Sequence, residues 1–116
     1  MSTRIYHNPR CSKSRQTLAL LQEKGIEPQI IEYLQTPPSP DSLLDLANQL
    51  GIGLQDMLRT GEADYKEARD ELAGLADAEL AEWLTKHPKV IQRPIVVTGK
   101  GARIGRPPEC VLEILD

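Results

Sequence analysis

The 116-residue chain is long enough to bury one hydrophobic core and too short for two domains of ordinary size. Hydrophobic residues make up 40% and aromatic residues 3%, with no Phe, so aliphatic side chains must fill the core of a globular fold. The net charge of −3 excludes an overall basic field that would attract nucleic acid or an anionic membrane, and any anion site must therefore be local.

The numbers of cysteines and histidines exclude further classes of protein. Two cysteines are too few for a disulfide framework, and two histidines far apart give no zinc-ligand spacing, so we expect no metal. "MSTRIYHNPR" lacks the apolar core of a signal peptide, and no apolar run approaches the roughly 20 residues of a membrane span. The sequence thus predicts a cytoplasmic protein in a reducing compartment.

The first third of the chain predicts a strand, a helix and a second strand. Residues 3–7 are β-prone, and Asn8-Pro9 ends them with a turn. Residues 12–24 are helix formers, and residues 28–33, "PQIIEY", predict the second strand. A parallel βαβ unit of this kind places Cys11 beyond the carboxyl end of a strand.

The middle of the chain predicts helices. "QTPPSP", residues 35–40, breaks the preceding pattern. Apolar residues then recur at helical spacing in four segments: 43–50, 54–59, 65–72 and 77–87. We interpret this region, about residues 40–88, as a helical insertion into a single domain that spans residues 1–116.

The end of the chain predicts a β-hairpin and a last helix. Residues 95–97 and 102–105 are short strands joined by a Gly-rich turn, which suits antiparallel pairing. Pro107 opens the last helix, with Val111 and Leu115 on its inner face. The fold class is therefore α/β: a mixed four-stranded sheet in the order βαβ, helical insertion, ββα.

Cys11 is the strongest candidate for chemistry. At the start of a helix, unpaired backbone N–H groups and the helix dipole stabilise a thiolate, and Ser14 is placed to donate a further hydrogen bond to the sulfur. Four side chains can add positive charge nearby: His7, Arg10, Lys13 and Arg15. The alternative is a buried, inert cysteine. Cys110, among apolar residues, is interpreted as a packing residue, with a partner thiol as the alternative.

A helix N-terminus that stabilises a thiolate also binds an oxyanion, so nucleophile and anion site would coincide. A small oxyanion needs further cations, for which arginines elsewhere in the chain are candidates. Arg59, Arg93 and Arg106 each lie at the end of a predicted element, where an ordinary surface role is also open. His7 fits either an electrostatic role or simple capping of a strand end.

Five sequence blocks in this order resemble those of one family: "IYHNPRCSKSRQTL", "YLQTPPS", "MLRT", "HPKVIQRPIVV" and "GRPPECVLEIL". The family is the glutaredoxin-linked arsenate reductases, a branch of the thioredoxin-like fold, and the resemblance covers nearly the whole chain. It implies Cys11 as the nucleophile, with three residues supporting its thiolate: His7, Ser14 and Arg15. It also implies that Arg59, Arg93 and Arg106 hold the arsenate oxygens, and that Pro94 is a cis proline facing the cysteine.

The same resemblance implies a mechanism. Ser14 occupies the place where a two-cysteine redox motif has its second thiol, so the resolving thiol must come from outside the chain. The Cys11 thiolate would attack arsenate to form a sulfur–arsenic(V) ester, glutathione would reduce the arsenic, arsenite would leave, and glutaredoxin would regenerate Cys11. No tightly bound cofactor is expected, and glutathione is a co-substrate.

Two alternatives stay open. A non-catalytic regulator like the Spx proteins shares the fold and binds RNA polymerase, but Ser14 replaces the second cysteine of their typical switch. A glutathione-dependent thiol-disulfide reductase needs only the single Cys11, and the three arginines would then be surplus. The arginines discriminate between the hypotheses, because only oxyanion chemistry needs them.

Overall fold

The computed structural model describes residues 3–115, which form two compact units. The first unit, residues 3–36 and 93–115, contains the whole sheet and is called the sheet unit. The second, residues 37–92, is called the helical unit and takes the place of the insertion predicted at about residues 40–88. The single domain over residues 1–116 stays a prediction.

The sheet unit holds four strands and one α-helix. In chain order these are β1 (Arg4–Tyr6), α1 (Ser12–Glu23), β2 (Gln29–Ile31), β3 (Ile95–Thr98) and β4 (Gly101–Ile104). The strand order is β2-β1-β3-β4, with β1 parallel to β2 and antiparallel to β3, and β3 antiparallel to β4. The predicted mixed α/β sheet is thus confirmed, although each predicted strand differs from the observed one by one or two residues at its ends.

The register of the sheet brings distant parts of the chain together. Tyr6 pairs with Ile95, so the residues just before β3 lie beside those just after β1. Ile95 also pairs with Ile104, so the residue after β4 lies beside the residue before β3. Three stretches that are far apart in sequence therefore meet at one end of the sheet.

The last segment of the chain is a 3₁₀ helix, Pro108–Ile114, where the sequence predicted a helix with Val111 and Leu115 inside. Val111 is fully buried, but its buried companion is Ile114, while Leu115 is only partly buried. The difference follows from helix geometry, because residues three apart share a face when a turn holds three residues. Val111 and Ile114 pack with Ile5, Leu21 and Val96. These five side chains form the core between one face of the sheet and α1.

The helical unit contains three α-helices: α2 (Pro40–Leu50), α3 (Ala63–Ala73) and α4 (Asp77–Lys86), with 3₁₀ turns at Leu54–Met57 and Pro88–Val90. Helix α2 begins at Ser39, whose Oγ accepts a 3.2 Å hydrogen bond from the Ser42 N–H. It ends at Gly51, in the left-handed conformation with φ 74°. Apolar side chains of α2 and α4 pack together, so this unit has a core of its own.

Candidate active site

The loop between β1 and α1 folds around Asn8. The Asn8 carbonyl accepts a 3.0 Å hydrogen bond from the Cys11 N–H, and its Oδ1 accepts one of 3.0 Å from the Arg10 N–H. Cys11 is thereby placed at the N-cap of α1 with extended backbone angles, and its carbonyl accepts the first helical hydrogen bond, from Arg15. The thiol consequently lies beside the N–H groups of the first helical turn.

The pKa of the Cys11 thiol is lowered from its ordinary value. Burial by itself would raise this pKa, because an apolar environment disfavours the thiolate. Hydrogen bonds from the backbone N–H groups of Ser14 and Lys13 outweigh that effect, together with a hydrogen bond and positive charge from the Arg93 guanidinium. The sequence placed this positive charge on residues next to Cys11, but the structure supplies it from Arg93.

The contacts of the Ser14 hydroxyl are with the loop, and the hydrogen bond predicted from it to the sulfur stays a prediction. Ser14 is fully buried, and its Oγ lies 2.6 Å from His7 Nδ1 and accepts a 3.0 Å hydrogen bond from the Asn8 N–H. What Ser14 gives Cys11 is its backbone N–H, a group that every non-proline residue at this position would provide.

The environment of His7 favours the neutral form of its imidazole. Burial lowers the pKa of its imidazole, the charge of Arg15 lowers it further, and Glu32 opposes both. The Nδ1 of His7 and the Ser14 hydroxyl share one hydrogen bond, and the Ser14 oxygen accepts another from the Asn8 N–H. His7 therefore ties the start of the loop to α1 through the Ser14 side chain, and its role toward Cys11 stays a prediction.

The side chain of Arg15 also holds the loop. Its Nη1 donates a 2.8 Å hydrogen bond to the Pro9 carbonyl, which ties the first turn of α1 to the segment before it. Its guanidinium is otherwise exposed. The support that Arg15 gives to Cys11 is thus structural: it fixes the path of the chain on either side of the thiol.

Two of the three predicted arginines lie in the sheet unit with Cys11. Arg93 precedes β3 and donates to the Cys11 sulfur. The exposed Arg106 follows β4, and its Nη1 donates a 3.2 Å hydrogen bond to the Arg93 carbonyl. The Arg93–Pro94 peptide bond is cis, the geometry that the resemblance implies, and Arg106–Pro107 is a second cis bond that the sequence analysis missed.

Arg59 belongs to the helical unit. Its backbone N–H donates to the Val90 carbonyl at 2.6 Å, beside a bridge between Leu58 and Ile91. The side chain is partly buried, and its Nη1 is shielded from solvent. The assignment of Arg59 to substrate binding stays a prediction.

Thr17 and Gly105 were missed by the sequence analysis. Thr17 is fully buried in α1, and its hydroxyl donates a 2.8 Å hydrogen bond to the Lys13 carbonyl. Gly105 is buried against Thr17 and Pro94. The helical spacing of Thr17 from Ser14 and Leu21 was the available signal for Thr17, whereas only the sheet register reveals Gly105.

The remaining features lie away from this loop. A cleft of about 990 Å³ opens at the other end of the sheet, among residues that include Thr3, Lys24, Thr98 and Lys100. Within residues 3–115, no group of three or more His, Cys, Asp or Glu residues is placed to hold a metal ion. Over the same residues, no helix is long and apolar enough to cross a membrane. Cys110 is partly buried, so both interpretations of it stay open.

Comparisons with known proteins agree on one family. The family model described as "ArsC family" matches residues 6–114. The chain is 51% identical to "Arsenate reductase" of Haemophilus influenzae over 99% of this chain and all of that protein. It is 45% identical to "Arsenate reductase" of Escherichia coli over 96% of this chain and 79% of that protein.

Solved structures give the same result. "Arsenate reductase from Vibrio cholerae" superposes with a TM-score of 0.93 at 53% identity, covering 99% of this chain and 98% of that one. The fold is accordingly the thioredoxin-like fold that the sequence blocks implied. With a family match from residue 6 to residue 114 and relatives of near-equal length, this chain belongs to the ArsC family.

Proposed function

We propose that this chain is an arsenate reductase that uses Cys11 as its only nucleophile and takes its electrons from glutathione and glutaredoxin. The observation that carries the proposal is the Cys11 thiol itself, whose pKa is lowered by first-turn N–H groups and by the Arg93 guanidinium. The relatives named arsenate reductase, at 45–51% identity, are the reason to propose arsenate as the substrate.

The first step is attack of the Cys11 thiolate on arsenic(V). A sulfur–arsenic bond forms, and one arsenate oxygen leaves as water after protonation. Arg93 is placed to offset the negative charge that the oxygens carry, since its guanidinium already reaches the sulfur. Arg106, bonded to the Arg93 carbonyl, adds a second positive charge on the same side of the site. Arg59 is assigned to this oxyanion site as well, on the resemblance alone.

The second step is the two-electron reduction. A glutathione thiolate attacks the Cys11 sulfur, a sulfur–sulfur bond forms, and the sulfur–arsenic bonding pair stays on arsenic, which becomes arsenic(III). Arsenite leaves, and Cys11 remains as a mixed disulfide with glutathione. A glutaredoxin thiolate then attacks the glutathione sulfur, and the Cys11 thiolate is released for the next cycle. No tightly bound cofactor takes part, so each reducing equivalent arrives on a diffusible thiol.

The proposal is tested by arsenate-dependent NADPH oxidation with glutathione, glutaredoxin and glutathione reductase supplied. We expect Cys11→Ser to abolish turnover, because serine is far less nucleophilic at neutral pH. Cys110→Ser is the matched control, the same substitution at the other cysteine, and should retain turnover.

Three outcomes would contradict the proposal. A wild-type rate equal to the rate without protein would remove arsenate as a substrate. Loss of turnover in Cys110→Ser would contradict a single nucleophilic cysteine. Faster turnover of a glutathione mixed disulfide than of arsenate, with Arg93→Ala unaffected, would favour the thiol-disulfide reductase.

A further inference from the structure

Gly105 packs against Thr17 of helix α1, at the end of the β3–β4 hairpin that Arg93 and Arg106 flank. A Cβ atom at this position would stand 2.6 Å from Thr17 Oγ1, 3.1 Å from Thr17 Cγ2 and 3.0 Å from Pro94 Cγ. Ordinary van der Waals contact begins at 3.4 Å. The backbone of Gly105 does not have a positive φ, so glycine is needed here for space and not for its backbone conformation.

On the hairpin side of this contact, Gly105 is connected to both arginines through the backbone. The Gly105 N–H donates a 2.9 Å hydrogen bond to the Pro94 carbonyl, which holds the residue after β4 to the segment before β3. Arg93 is bonded covalently to Pro94, and Arg106 to Gly105. A displacement of Gly105 would therefore shift the backbone at both arginines.

The helix side leads to the thiol. Thr17 is fully buried, and its hydroxyl donates to the Lys13 carbonyl at 2.8 Å and lies 3.5 Å from the Gly105 carbonyl. Lys13 contributes one of the N–H groups that stabilise the Cys11 thiolate. The side chain of Thr17 thus contacts the hairpin and the first helical turn at once.

We propose that Thr17 and Gly105 are positioning residues, whose contact sets the separation between the N-terminus of α1 and Arg93 and so determines whether Arg93 reaches the Cys11 sulfur. Neither residue touches the thiol. The effect on arsenate turnover rests on the proposed function, whereas the effect on the thiol does not.

Gly105→Ala is the first test. The new methyl group must push the hairpin away from Thr17 or Pro94, and the Arg93 hydrogen bond to Cys11 should lengthen. We expect the pKa of the Cys11 thiol to rise and kcat/KM for arsenate to fall about tenfold to 100-fold, the loss typical of a misplacement near 1 Å. Thiol pKa values come from the pH dependence of iodoacetamide alkylation, with every variant in the Cys110→Ser background.

A compensating pair of substitutions distinguishes a positioning role from a general loss of structure. Thr17→Ala removes both Thr17 atoms that a Cβ at position 105 would strike. The double variant Thr17→Ala/Gly105→Ala should therefore recover a lower thiol pKa than Gly105→Ala alone. Gly74→Ala is the control, because its Cβ would meet only the Glu71 carbonyl, at an ordinary 3.9 Å.

The outcomes are distinct. A thiol pKa in Gly105→Ala equal to that in Gly74→Ala would overturn the proposal, as would a double variant no better than Gly105→Ala. If Gly105→Ala does not fold, Thr17→Ala alone decides: the gap it leaves should raise the thiol pKa, and an unchanged value would overturn the proposal. A wild type that alkylates rapidly at neutral pH but does not reduce arsenate would contradict the proposed function and leave this inference standing.

Discussion

Two segments of the sheet unit stabilise the Cys11 thiolate, and their contacts are formed in different ways. The loop segment, residues 7–15, is contiguous and closes on itself through hydrogen bonds among near neighbours. The hairpin segment, residues 93–94 and 105–106, reaches the sulfur only because β3 lies beside β1 and β4 beside β3. The loop places the thiol, and the hairpin supplies the charge.

Because the loop segment places the thiol and the hairpin segment supplies the charge, the two segments should respond differently to mutation. Inside the loop, four side chains bond to other loop atoms, so their loss should mainly affect stability: His7, Asn8, Ser14 and Arg15. In the hairpin segment, Arg93 contacts the sulfur directly, so its loss should mainly affect reactivity.

The largest expected effect is that of Arg93→Ala. Removal of its guanidinium deletes a hydrogen bond and a positive charge at the sulfur, so the thiol pKa should rise and kcat/KM for arsenate should fall about 100- to 1000-fold. Arg106→Ala is the comparison, because the Arg106 side chain donates to the Arg93 carbonyl. It should lower arsenate turnover with a smaller change in thiol pKa, and equal pKa shifts would show that the two arginines act on the sulfur alike.

The fold was largely predictable because periodicity and turn residues are local signals. The βαβ start, the helical middle and the final hairpin all follow from them, and consecutive strands are usually neighbours in a sheet, as β1 and β2 are here. The 3₁₀ character of Pro108–Ile114 was not predictable, since apolar residues spaced by three and four suit either helix type over so short a stretch.

How much of the site could be predicted from the sequence also differs between the two segments. Cys11 at a helix start is visible in the sequence because the relevant N–H groups come from the next few residues. The contact between Arg93 and Cys11 joins residues 82 positions apart, and only the pairing of Tyr6 with Ile95 brings them together. Sequence reasoning alone left Arg93 open between an oxyanion-binding role and an ordinary surface role, and the family resemblance was needed to choose between them.

Ser14→Ala is expected to have an intermediate effect, on stability rather than on the thiol. The substitution leaves the buried Asn8 N–H and His7 Nδ1 without their shared partner, at a cost of about 1–3 kcal/mol in the free energy of unfolding. The thiol pKa should change little, because the backbone N–H at position 14 remains.

Urea denaturation and alkylation rates check this prediction together. Ser12→Ala, the same substitution at an exposed residue two positions earlier, is the control for helix propensity. A large rise in thiol pKa in Ser14→Ala, with stability unchanged, would support the predicted hydroxyl-to-sulfur hydrogen bond.

The smallest expected effect is a pH dependence of stability from His7. Burial holds the pKa of its imidazole below the unfolded value of about 6.5. Below that pH the unfolded chain binds a proton that the folded chain resists, so the free energy of unfolding should fall as pH drops from about 6.5 toward the folded pKa. His7→Gln should flatten this slope, whereas His87→Gln, in the helical unit, should leave the His7 contribution in place. Equal slopes in wild type and His7→Gln would mean that the folded state tolerates a protonated His7, and the loop would then not depend on the Ser14 hydroxyl bonding to a neutral ring.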